Sequence, residues 1–140
     1  FVLYAPDHAG LFARVAGAFA SAGASIVDAK IFTTSDGMAL DTFLVQDTEG
    51  GPLTEEKKLK RLDEILHKTL DGRHHPRRAL AAKRKQPKRE AAFTVQSQVL
   101  FDNEASNTAT MIEVTARDRP GLLHDLTWAL FENGVSINSA

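Results

Sequence analysis

Ala5–Ala29 (APDHAGLFARVAGAFASAGASIVDA) returns 111 residues later as Ala116–Ala140 (ARDRPGLLHDLTWALFENGVSINSA). The two stretches align without a gap, and nine of their 25 positions are identical: Ala5/Ala116, Asp7/Asp118, Gly10/Gly121, Leu11/Leu122, Ala18/Ala129, Gly23/Gly134, Ser25/Ser136, Ile26/Ile137 and Ala29/Ala140. Each copy reads as the end of a strand, an Asp-x-x-Gly-Leu turn, a helix, a glycine and the start of another strand. Unrelated strand–helix units share apolar spacing, but not ungapped glycines at both ends of the helix. The chain therefore contains an internal duplication.

In the first copy, Phe1–Tyr4 reads as a strand. Leu11, Phe12, Val15, Ala18, Phe19 and Ala22 then recur at the spacing of one buried helix face. Gly23 stands where a helix-ending glycine belongs. Residues 25–34 are rich in β-branched types and residues 39–46 return as a second strand, with Asp36-Gly37 as the hairpin signal between them. Thr54 is the expected N-cap of a second helix, whose stripe is Leu59, Leu62, Ile65, Leu66 and Leu70 and which Gly72 ends. In residues 93–101, Phe93, Val95, Val99 and Phe101 alternate on one strand face. The order βαββαβ predicts an α+β ferredoxin-like sandwich: a four-stranded antiparallel sheet, ordered 4-1-3-2, with two helices on one face.

Residues 1–104 are thus one expected domain. Residues 107–140 are the expected N-terminal part of a second, truncated one. There Ile112, Val114 and Ala116 point inward, and a helix over 122–133 carries Leu122, Leu123, Leu126, Ala129 and Leu130 on one face. Both ends read as cut. The chain begins inside a strand without an initiator Met and ends as another strand starts, which is the pattern of a piece of a longer protein.

The net charge of −1 hides an asymmetry. Residues 71–90 hold eight Lys/Arg and two acids, a net +6, set against −7 in the remainder. Two prolines and few large apolar groups make that segment an expected solvated, mobile insertion. It has no interleaved aromatics for stacking bases, so nucleic acid is a poor partner. The chain has no cysteine, which excludes disulfides, thiolate metal sites and a cysteine nucleophile. No apolar run approaches the ~20 residues of a membrane span. A cytoplasmic location follows as the default.

The most specific feature is Asp118-Arg119-Pro120-Gly121-Leu122-Leu123. Gly121 lets backbone approach a ligand, and the first free amides of the helix favour an anion. Asp118 suits an ammonium, and Asn138 offers both a donor and an acceptor. Together they match a free amino acid. The same residues also make an ordinary helix-start turn, in which Pro, Asp and Gly are all common. Asp7-His8 and His124-Asp125 lack a third ligand or a partner for acid–base work and read as turn and exposed helix residues. His74-His75 reads as solvated loop. Trp128 suits packing against a neighbouring domain or covering the sheet edge.

The turn at 118–123, followed by Gly134-Val135-Ser136-Ile137-Asn138, resembles the signature of ACT domains, small regulatory modules that bind amino acids. With Ala5–Phe12, Ala39-Leu40-Asp41-Thr42-Phe43 and Trp128-Ala129-Leu130, the chain is similar to the C-terminal tandem ACT region of the bacterial PII uridylyltransferase/uridylyl-removing family. That resemblance implies a glutamine-sensing module controlling uridylylation and deuridylylation of the PII signal protein in nitrogen regulation. The catalytic domains, with Mg2+ as their expected cofactor, would lie elsewhere in the parent enzyme. No enzyme activity, metal or cofactor is then expected of this chain. Carried over by motif, the ligand residues are Asp118, Arg119, Pro120, Gly121, Leu122 and Asn138 in copy two, and Asp7, His8, Gly10 and Leu11 in copy one. Copy one departs from the pattern, with His8 for Arg, Ala9 for Pro, and Val27 where copy two has Asn138. In this family ligands often sit between paired domains. The alternative readings are an ACT module that pairs domains or subunits without a ligand, including a homo-oligomer of this chain, and the regulatory region of another amino-acid-metabolism enzyme.

Overall fold

The computed structural model describes residues 1–84 and 96–140 and divides into two compact units, Phe1–Gln86 with Pro120–Ala140, and Pro87–Arg119. The first unit holds β1 (Val2–Pro6), α1 (Leu11–Ala22), β2 (Ala24–Lys30), β3 (Met38–Asp47), α2 (Glu56–Leu70), α3 (Pro76–Arg84) and α4 (Leu122–Glu132). The second holds β4 (Gln98–Asp102) and β5 (Met111–Thr115). The break between the units falls at Pro120, inside the segment expected to form one truncated domain.

The three strands of the first unit are antiparallel in the order β1-β3-β2, with Leu3 opposite Asp41 and Ala29 opposite Phe43. A bulge between Ile26 and Asp28 leaves Val27 out of register and exposed. The β2–β3 turn closes as Asp36-Gly37 predicts. Gly37 takes φ +81, a left-handed conformation that costs glycine nothing, and the Thr34 hydroxyl donates to Asp36 Oδ1.

Strict alternation along β3 buries Ala39, Asp41 and Phe43 and exposes Leu40, Thr42 and Leu44. Phe43 lies under Phe12, Phe19 and Phe1, with ring centroids 6.0, 5.2 and 6.5 Å away. From α2, Leu62 and Leu66 close this core while Leu59 is left largely exposed. The N-cap of α2 is Glu55, one residue beyond the expected Thr54, and neither end-residue side chain caps it.

α1 is buried on two faces rather than one. Leu11, Phe12, Val15, Ala18 and Phe19 meet the sheet and α2, while Ala13, Ala16 and Gly17 on the far side are also buried. These small residues let α3 and α4 approach closely. A Cβ on Gly17 would stand 2.5 Å from Pro76 Cβ and 2.6 Å from His124 Nδ1. His124 is 1% exposed, and its Nδ1 donates to the Ala13 carbonyl at 2.7 Å. Ala13 and His124 occupy the same position of the two aligned stretches, so α1 and α4 touch at matching points of the sequence.

Four expectations are corrected. First, part of the segment expected to be mobile is helical, because Pro76 starts α3 and buried Leu80 anchors it against α1; its residues 85–90 lie outside the described residues. Second, His124 is buried rather than exposed, because glycine at position 17 leaves room for its ring. The leucines of α4 are only half-buried. Third, β4 does not extend the first sheet. It pairs instead with β5, with Phe101 opposite Ile112, in a hairpin whose short connection closes at small cost in chain entropy. Val99, Leu100 and Phe101 are all exposed, so the strand has no buried face; Phe93 and Val95 lie outside the described residues. Fourth, residues 135–140 form no strand. Among the described residues, no helix is long and apolar enough to cross a membrane.

Candidate functional site

The turn between β1 and α1 builds one wall of a cavity of about 430 Å³. The Asp7 amide donates to the Gly37 carbonyl at 2.9 Å, and Asp7 Oδ2 accepts the Thr33 hydroxyl at 2.7 Å. These bonds pin the turn to the β2–β3 hairpin. Gly10 has φ +82 and brings the chain into the helix, with the Phe131 ring 3.0 Å from where a Cβ would stand. No side chain caps α1. Leu11 donates to the His8 carbonyl and Arg14 to that of Gly10. The amides of Phe12 and Ala13 have no backbone acceptor outside the helix and both residues line the cavity. They carry the positive end of the helix dipole.

α4 and the segment after it supply the opposite wall: Thr127, Phe131 and Val135–Asn138. Thr127 Oγ1 is engaged with the Leu123 carbonyl at 2.8 Å, while Ile137 packs on the core and Asn138 is exposed. The cavity thus joins the first copy's turn to the second copy's Asn138. Asp7, His8, Gly10, Leu11 and Asn138, all named from the sequence, line it together. Val27, the copy-one counterpart of Asn138, does not. His8 is exposed, its Nδ1 donating to the Ala9 carbonyl at 3.1 Å. Pro120, Gly121 and Leu122 do not line the cavity, although Gly121 repeats the geometry of Gly10 with φ +78 at the start of α4. Asp118 and Arg119 belong to the second unit, where both are exposed.

Sequence reasoning missed Asp41. It is 1% exposed, lines the cavity and leaves Oδ1 without a hydrogen-bond partner. Burial pushes its carboxyl above the usual carboxylate range; a Phe32 amide bond pulls the other way and the nearby Asp7 charge adds to the rise. The available signal was alternation, which puts an acid at an inward position of β3 between Ala39 and Phe43.

A carboxyl that ionises less readily folded than unfolded contributes stability that is present when it is protonated. That stability is lost as pH rises through the raised folded value. Asp41→Asn is therefore expected to be more stable than the native protein at pH 7, with the gap closing as pH falls to about 4. Denaturant midpoints across that range check this; a gap independent of pH would remove burial of the charge as its cause.

An α+β module with a polar cavity at the start of its first helix is the class that this fold and site define. Residues 1–64 match the ACT domain family. The chain carries an ACT domain, a regulatory module with ferredoxin-like α+β architecture. It is also similar, over nearly its whole length, to bifunctional uridylyltransferase/uridylyl-removing enzymes. The Azospirillum brasilense enzyme is 52% identical over 99% of this chain, the Gluconobacter oxydans enzyme 50% over 96%, and the Cereibacter sphaeroides enzyme 49% over 96%. The chain spans only 14–15% of the length of these relatives. No solved structure gives a significant match.

Proposed function

We propose that this chain is the amino-acid-sensing part of a uridylyltransferase/uridylyl-removing enzyme, and that glutamine bound in the Asp7–Asn138 cavity is its signal. The observation that carries the reading is the convergence of open α1 amides and Asn138 on one cavity. The amides suit a carboxylate, and Asn138 suits the side-chain amide of glutamine. Binding would tie the first copy's turn to the second copy's terminal segment. A ligand that joins two elements in this way favours one arrangement of the repeats, with coupling typically of about 1–3 kcal/mol. On this reading residues 107–140 belong to a second ACT copy. The cytoplasmic parent enzyme, with Mg2+ in its catalytic domains, modifies and restores PII in nitrogen regulation.

Calorimetry on the 140-residue protein tests this. Glutamine is expected to bind, and Asn138→Leu to weaken it about tenfold through loss of hydrogen bonds. Asn138 is exposed, so the variant should fold normally. Unchanged affinity in Asn138→Leu would remove the cavity as the site.

The exposed Val99, Leu100, Phe101, Met111 and Val114 of the β4–β5 hairpin favour a second reading, a module that pairs with other ACT domains or with its own copy. Concentration-dependent association with no response to any amino acid would select it.

A further inference from the structure

The ionisable groups lining the cavity are Asp7, His8 and Asp41, with no Lys or Arg among the described lining residues. Asp7 is already engaged by the Thr33 hydroxyl. Asp41 is different. It occupies a core position of β3, is 1% exposed, and has one carboxylate oxygen facing no donor. Buried polar groups are nearly always hydrogen-bonded, and an unpaired buried carboxylate is destabilising. Its neighbours on the same strand face, Ala39 and Phe43, show that an apolar residue would serve the fold. A cost of this kind at the wall of a cavity is the mark of a group kept for a ligand.

The two ends of the cavity carry opposite preferences. The Phe12 and Ala13 amides at the start of α1 favour an anion. Asp41, with Asp7 beside it, favours a cation. We propose that Asp41 is the ammonium-binding group of this cavity, so that the site takes a zwitterionic α-amino acid and rejects the same molecule without its amino group. The inference rests on the cavity being the ligand site. It adds the residue that sets the ligand's charge, one outside the turn motif. The ammonium supplies the donor that Oδ1 lacks, in a charge-assisted hydrogen bond sheltered from water.

The test measures binding of the twenty amino acids, and of glutaramate (glutamine without its α-amino group), to the 140-residue protein and to Asp41→Asn, Asp41→Ala and Asn138→Leu. The expected result is that the best amino acid binds the native protein and loses about 10- to 100-fold in both Asp41 variants. Glutaramate should bind the native protein far more weakly, and Asp41→Asn should leave that weak affinity unchanged. Because Asp41→Asn is expected to be at least as stable as the native protein at pH 7, its loss of binding cannot be assigned to unfolding. Equal amino-acid binding by native protein and Asp41→Asn, with loss in Asn138→Leu, overturns the role of Asp41 and leaves the cavity as the site. Binding that survives all three substitutions, or no binding to the native protein, overturns both.

Discussion

Phe43→Ala is expected to lower the unfolding free energy by about 3–5 kcal/mol, the usual cost of removing a buried ring. Phe43 is 1% exposed and stands at the centre of β3, where the sheet meets both helices of the core. It is stacked on Phe12 with the rings 14° apart, and it meets Phe19 at a tilt of 48°. Truncation removes transfer free energy and leaves a void whose lining is itself rigid aromatic, so little collapse can offset the loss. Each aromatic pair adds about 0.5–1.5 kcal/mol beyond area. Urea denaturation followed by far-ultraviolet circular dichroism measures the change. A loss under 1 kcal/mol would mean that β3 does not anchor the core as described.

Gly17→Val is the second large effect, and its sign runs against helix propensity. A glycine inside a helix ordinarily costs about 1 kcal/mol relative to alanine, so a side chain there should help. Here the new Cβ would stand 2.5 Å from Pro76 Cβ and 2.6 Å from the His124 ring. Both neighbours are buried and one belongs to a proline, so neither can swing away. Overpacking of this kind costs about 1–3 kcal/mol, enough to outweigh the propensity gain. α3 and α4 should shift off α1, breaking the His124–Ala13 hydrogen bond. The chain's single tryptophan, Trp128, packs against the His124 and Phe131 rings and under the Arg77 guanidinium, so its emission reports the move. An unshifted emission with native stability would show that the α1–α4 contact is not close-packed.

Much of the core unit was legible because its signals are local. Leucine and phenylalanine spacing, Gly23 and Asp36-Gly37 act within one or two turns of chain, and α1, β2, β3 and α2 formed where those signals stand. α3 was misread because charge and proline dominate its composition, whereas its fold depends on Pro76 and Leu80 finding the small-residue face of α1. β4 was misplaced because alternation marks a strand without naming its neighbour. The site was half legible. The Asp-x-x-Gly-Leu turn marked Asp7, His8, Gly10 and Leu11, and Asn138 stood out by type, but their meeting in one cavity is a contact across more than 120 residues of sequence.

The duplication, the helix-start turns and the inward alternation of β3 were determined by the sequence alone, because each depends on residue type and short-range spacing. Which turn meets which polar residue was decided only by the tertiary structure. The close approach of α4 to α1 across Gly17 carries the second copy's Asn138 to the first copy's turn, and it puts Asp41 at a cavity wall instead of in a closed core. Such contacts depend on shape complementarity between distant surfaces, which no local pattern encodes.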